Sequence, residues 1–128
     1  SVLAAGAGLV ISPGATPELL QAAAASGADI MPGVATASEL MQGLAQGFTV
    51  FKLFPAEAVG GRALLRSFAG PFPEARFCPT GGLNPGNFRD YLALPNVICC
   101  GGSWMVAADL VDNGKWDEIS ALAREAMA

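Results

Sequence analysis

The sequence predicts an α/β protein built from parallel strands, and three observations carry that expectation. Apolar residues fill 52% of the 128 positions and charged residues 14%, which supplies one large core and argues against disorder. The apolar residues come in short runs separated by Gly and Pro, as strands buried on both faces require. These runs begin near residues 9, 30, 50, 76 and 97, a recurrence of roughly 20 to 26 positions that fits a strand, a short loop and a helix in turn. No linker interrupts the pattern, so residues 1–128 read as one domain.

Each element has its own local signal. Residues 9–12 form the first strand. Thr16 and Pro17 then supply an N-cap and a first-turn proline before an Ala/Leu-rich helix, which Gly27 is placed to end. Residues 30–34 are the second strand, followed by the capping box that runs from Thr36 to Glu39, with Gly47 as the stop of its helix. Residues 50–54 are the third strand and 62–68 a shorter helix. Residues 76–80 are the fourth strand, after which Asn84 and Pro85 repeat the cap-plus-proline device before Phe88, Tyr91 and Leu92. Residues 97–100 are the fifth strand and 104–110 a short extra helix that Ser103 would cap. A last helix from about Trp116 carries Ile119, Leu122, Ala123 and Ala126 on one side. Parallel strands joined by helices make either an open doubly wound sheet or part of a (β/α)8 barrel, and the period alone does not separate them.

Charge and composition exclude several kinds of partner. Seven basic against eleven acidic residues give a net charge of −4 with no Lys/Arg cluster, so nucleic acid is not an expected partner. No apolar run reaches the roughly 18 residues of a bilayer span, and no basic segment precedes Glu18, the first charged residue. The expectation is a soluble, cytoplasmic protein with no membrane partner. Cys78, Cys99 and Cys100 form no C-x-x-C pair, and the chain has no histidine, so the usual zinc ligand sets cannot be assembled and no metal is expected. The cysteines read as buried small hydrophobes. The chain opens at Ser1 and its first methionine is Met31, as a fragment or a processed product would.

The chain has two lysines, in opposite settings. Lys115, in Asn113-Gly114-Lys115-Trp116, reads as a solvated turn residue. Lys52 lies in the apolar Phe51-Lys52-Leu53-Phe54-Pro55, where an unpaired ammonium is costly and the neutral amine that attacks a ketone is favoured. The alternative is a lysine whose stem packs in the strand while its head reaches water or a carboxylate. Glu57, just beyond, reads as a loop or helix-start carboxylate. Pro79-Thr80-Gly81-Gly82 ends one strand and Gly101-Gly102-Ser103-Trp104 the next. Both bring backbone amides without Cβ atoms to a strand's C-terminal end, where a phosphate can approach; tight turns alone would also explain them. A barrel's phosphate site is commonly built at these last two strand ends.

These segments, with Ile11-Ser12-Pro13-Gly14 and Met31-Pro32-Gly33-Val34 before them, stand in the order and spacing of the 2-keto-3-deoxy-6-phosphogluconate aldolases. The resemblance runs over essentially the whole chain and includes the members that also cleave 4-hydroxy-2-oxoglutarate. It implies a (β/α)8 barrel, of which this chain supplies about the last five βα units, strands 4 to 8, with the N-terminal strands absent from the sequence. It implies that Lys52 forms an imine with pyruvate, that Thr80, Phe54 and Pro13 contact the substrate, and that Gly81, Gly82, Gly102 and Ser103 hold its phosphate. The substrates implied are a phosphorylated keto sugar acid and pyruvate, with no cofactor, and the assembly implied is a homo-oligomer, a trimer. The family's catalytic glutamate, on an early strand, has no counterpart here. A phosphate-binding domain without imine chemistry, or a structural fragment that keeps the motifs without activity, stand as alternatives.

Overall fold

The computed structural model describes residues 4–128. Its strands are short and parallel, and they follow one another in space in the order of the chain. Strand β1 (Val10–Ile11) pairs with β2 (Ile30–Met31), and β3 (Gly33–Val34) pairs with β4 (Val50–Leu53), which pairs with β5 (Arg76–Pro79). The expected strand 30–34 is thus split in two at Pro32. A proline cannot donate to a ladder, and its carbonyl still accepts from the Lys52 amide at 2.9 Å, so the break joins the two sheets instead of separating them.

The fifth expected strand is corrected more deeply. Residues 97–100 do not form a regular strand; the segment touches β5 through isolated bridges, Phe77 with Val97 and Thr80 with Gly101. The partner offset changes from 20 residues at the first bridge to 21 at the second, so one extra residue bulges out of the ladder between them. The amides of Ile98 and Gly101 still donate to Phe77 and Pro79 at 3.0 and 2.9 Å, which keeps the segment alongside β5.

Helices α1 (Pro17–Ser26), α2 (Ala37–Ala45), α3 (Gly61–Ala69) and α4 (Phe88–Leu92) fill the connections. The Thr16 hydroxyl accepts from the Leu19 amide at 3.2 Å, and Gly27 takes the left-handed conformation that closes α1. The capping box at Thr36 and Glu39 is complete, and the Glu39 carboxylate also accepts from Ala35 at 2.7 Å. Asn84 does not cap α4. The cap position falls at Asn87, three residues later than expected, because the Asn84 side chain accepts from Gly86 at 2.8 Å, folding an Asx turn instead. The expected helix 104–110 is two pieces, a 3₁₀ turn (Trp104–Val106) and α5 (Ala108–Asp112), and Ser103 makes no side-chain cap to either. The last helix, α6 (Trp116–Met127), keeps Ile119, Leu122, Ala123 and Ala126 half-buried.

The core lies between the sheet and the helices. Alternation along β4 sends Phe51 and Leu53 into it, where they meet Leu40, Leu65, Phe68, Phe77 and Tyr91, all 5% exposed or less. Phe77 stacks on Phe68 with centroids 5.9 Å apart. Gly43 of α2 permits a close approach of helix to sheet, since a Cβ there would lie 2.3 Å from the Phe51 ring. Of the cysteines only Cys78 is buried as expected; Cys100 is half-buried and Cys99 exposed, because the bulged segment is an edge with no neighbour beyond it among the described residues. No helix among the described residues is long and apolar enough to cross a membrane.

Candidate active site

The same alternation that buries Phe51 and Phe77 puts Lys52 and Cys78, direct register partners, on the opposite face of the sheet. Thr80 continues that face beyond β5. Lys52, Thr80, Gly102 and Ser103 line one cavity of about 380 Å³, together with Cys78, Gly101, Ile11 and Val106. Residues from β1, β4, β5 and the segment alongside β5 therefore meet, with none from β2 or β3 in the lining.

Lys52 is half-buried, and among the described residues no carboxylate pairs with it. Its Nζ lies 4.5 Å from the centroid of the Phe54 ring. Phe54 thus contacts the lysine itself and does not line the cavity wall. The pairing of Lys52 with an acid, one of the readings open to the sequence, is not what the fold builds. Lys115, by contrast, meets Glu118 at 3.2 Å in a half-exposed pair.

Pro13 sits in the exposed loop after β1, outside the cavity lining. Its carbonyl crosses the start of β3 so closely that a Cβ on Gly33 would lie 2.3 Å from it. Gly33 is itself the register partner of Lys52, so Pro13 stands two strands from the lysine. At the other side, Gly101 leaves room for the Thr80 hydroxyl, which a Cβ would approach to 2.4 Å, and Gly102 leaves room for the Trp104 ring.

The Thr80-Gly81-Gly82 turn carries the most telling backbone geometry. The carbonyls of Thr80 and Gly81 accept from the amides of Ala56 and Glu57 at 2.8 and 3.1 Å. The Gly82 carbonyl accepts from the Asn87 and Asn84 side chains at 3.2 and 3.4 Å. In a trans peptide the carbonyl and the following N–H point in opposite directions. Three anchored carbonyls therefore direct the amides of Gly81, Gly82 and Leu83 away from the Ala56–Glu57 loop and the asparagines, and none of these amides makes a hydrogen bond among the described residues. Gly81 and Gly82 have φ of 100° and 81°, which only glycine adopts freely. A run of free amides on one side of a turn is an anion-accepting concavity. Gly81 and Gly82 are not part of the cavity lining that holds Gly102 and Ser103.

Glu57 is held elsewhere. Its carboxylate accepts from the hydroxyl of Tyr91, on α4, and its Cβ and Cγ lie beneath Gly82. Burial first, and then the bond to Glu57, push the Tyr91 hydroxyl above its ordinary value. Cys78, Ile11 and Val106 were given no part in the site by the sequence, and Gly101 entered only as a member of the Gly101-Gly102 turn. Thr80 was reached through its motif and the resemblance; strand alternation would have added Cys78, two residues earlier, while Ile11 and Val106 come from remote elements that no local pattern connects to Lys52.

Residues 1–122 match the family model described as KDPG and KHG aldolase. The chain belongs to that family. It is 53% identical over 123 residues to the 2-dehydro-3-deoxy-phosphogluconate aldolase of Pseudomonas aeruginosa, covering 96% of this chain and 56% of that protein. With the KHG/KDPG aldolase of Escherichia coli K12 the identity is 54%, over 98% of this chain and 59% of the relative. Among solved structures it superimposes on a KDPG aldolase of Legionella pneumophila with a TM-score of 0.92 at 51% identity, covering 94% of this chain and 59% of the other; that protein holds pyruvate captured as a covalent carbinolamine. A Zymomonas mobilis ZM4 aldolase, solved with 3-phosphoglycerate, gives 0.90 at 44% identity over 98% of this chain and 59% of that one. The chain thus spans less than two thirds of the length of the relatives it matches.

Proposed function

We propose that this chain carries the imine-forming half of an aldolase that reversibly cleaves 2-keto-3-deoxy-6-phosphogluconate to pyruvate and glyceraldehyde 3-phosphate, with Lys52 as the nucleophile. The observation that carries the reading is the convergence of Lys52 and Thr80 with the glycine-rich end Gly102-Ser103 around one cavity. The amine of Lys52 adds to the C2 ketone, and loss of water leaves a protonated imine. As a base takes the proton of the C4 hydroxyl, the C3–C4 bond breaks, its electron pair enters that cation as an enamine and the aldehyde departs; protonation of the enamine at C3 and addition of water to the imine release pyruvate and the free lysine. Thr80 contacts the keto acid and the Phe54 ring packs against the amine end of Lys52, with Pro13 at the rim of the pocket. The phosphate is taken by the amides of Gly81 and Gly82 together with Gly102 and Ser103. No metal or organic cofactor enters the scheme.

The relatives support this: one holds pyruvate as a carbinolamine and another holds a three-carbon phosphate. The resemblance assigns proton transfer to a glutamate outside these 128 positions, and the attachment of Glu57 to Tyr91 argues against Glu57 as its substitute. Strands that follow one another in space without a reversal favour a closed (β/α)8 barrel over a doubly wound sheet, with this chain as about its last five units. A trimer in the cytoplasm is the assembly and setting we assign.

Borohydride reduction in the presence of pyruvate tests the reading. The protein should gain one reduced pyruvate adduct by mass, and Lys52→Met, which keeps the apolar stem, should gain none while melting at a similar temperature. An adduct that persists in the variant would overturn Lys52; no adduct in the parent would favour a phosphate-binding module instead.

A further inference from the structure

We propose that Tyr91 and Glu57 form a positioning pair for the phosphate end of the substrate, acting through the Thr80-Gly81-Gly82 turn and not on the reacting carbon. This rests on the function proposed above and extends it to two residues that lie outside the cavity.

The turn has two adjacent glycines in the left-handed region, so nothing in its own side chains fixes it. What fixes it is the loop after β4. The Ala56 and Glu57 amides take the carbonyls of Thr80 and Gly81, and the Glu57 stem fills the space beneath Gly82, where an added Cβ would come within 2.7 Å of Glu57 Cβ and Cγ. That loop is in turn tied down at the Glu57 carboxylate. The Tyr91 ring is fully buried in the core, and its hydroxyl emerges beside Gly61, where an added Cβ would lie 2.7 Å away. It donates to Glu57 Oε1, the one side-chain bond that Glu57 makes among the described residues. A rigid core residue thus sets the loop, the loop sets the carbonyls of the turn, and the carbonyls set the direction in which the amides of Gly81 and Gly82 point. Arg62 and Asp90 meet at 2.5 Å nearby, but that pair is exposed and bonds neither the loop nor the carbonyls of the turn.

Lys52 stands on β4 before the Phe54–Gly60 loop, held by main-chain bonds within the sheet, so its position does not depend on Glu57. The inference therefore separates two quantities that a general loss of structure would change together. In the active protein, Tyr91→Phe and Glu57→Ala should each raise KM for the phosphorylated keto acid about tenfold or more, because a misplaced binding turn is costly even when remote from the chemistry. The pyruvate concentration giving half-maximal borohydride trapping should stay within about twofold, since a tenfold change would need roughly 1.4 kcal/mol of lost contact to pyruvate itself. Inorganic phosphate should compete less well in both variants. Glu57→Gln keeps an oxygen that accepts from Tyr91 and should restore most of the affinity.

Unchanged KM for the phosphorylated substrate in Glu57→Ala would overturn the proposal, and so would an equal loss of pyruvate trapping in a variant that still melts as the parent does. Glu57 is exposed, so its variants report even where loss of the buried Tyr91 hydroxyl disturbs folding. Failure of the parent protein to trap pyruvate at all would instead sink the underlying aldolase reading, a result distinguishable from either.

Discussion

Single atoms decide the strand ends. At Gly102 a Cβ would fall 1.7 Å from Cζ3 of Trp104, whose ring packs on Phe88 at 5.3 Å with the planes tilted by 37°, so any side chain there must displace an indole that is itself packed. Gly102→Ala is expected to lose about 1 to 3 kcal/mol of stability, as overpacking usually does, read as a lower midpoint in urea. Gly82 combines positive φ with contact to the Glu57 stem, so a β-branched residue is excluded twice. Gly82→Val should weaken phosphorylated substrates far more than pyruvate, measured by phosphate competition against each; equal losses would indicate general misfolding. The sequence made these glycines conspicuous but could not say why they were there. Their reasons are a ring, a carboxylate stem and a hydroxyl that arrive from positions between 2 and 25 residues away, and only folding brings those into contact.

Helix starts were the most legible elements because their signals are local. At Thr36 both halves of the capping box lie within three residues of each other, and they form as read. Thr36→Ala should therefore cost about 1 kcal/mol, seen in thermal melts, with no change in pyruvate trapping. Asn84 carries the same kind of signal and misleads, because an asparagine can satisfy a turn as readily as a helix, and here Asn87 and Gly82 compete for it. Strands were legible in position and less so in extent. The run 97–100 has the composition of a buried strand, yet the bulge beside β5 depends on where Gly101 must sit to clear Thr80, which lies 21 residues earlier.

At the scale of the molecule the two open edges dominate. Beyond β1 and beyond the 97–101 segment no strand follows among the described residues, and Leu9, Ile11 and Ile98 are 52%, 51% and 53% exposed. Unpaired edges with apolar side chains recruit further strands. The 128 residues produced alone should therefore associate, as light scattering would show, and should release pyruvate from the substrate only when the remainder of the family's length is supplied. A monodisperse, fully active monomer would contradict both the edge argument and the assignment of the base. Stability should also fall in alkali. Burial raises the Cys100 thiol from 9.0 to about 12, so the unfolded chain loses that proton first; the stabilisation is complete below pH 9 and is lost as pH rises toward 12. Tyr91, raised by burial and by Glu57, acts with the same sign. Melting followed across that window should decline, and Cys100→Ala should flatten the decline.

The sequence by itself determined the class of fold, the helix caps at Thr16 and Thr36, the singular setting of Lys52 and the family to which these motifs point. All of these depend on residue type and on spacing along the chain, quantities a sequence states directly. Only the tertiary structure decided that Pro32 hinges two sheets, that Phe54 covers the lysine, that Glu57 is engaged by Tyr91, and that the Gly81 and Gly82 amides are left free on one side. Each of those is a contact between segments that are distant in the chain or a direction imposed on a peptide by its carbonyl's partner. Such contacts exist only once the sheet has fixed which residues are neighbours.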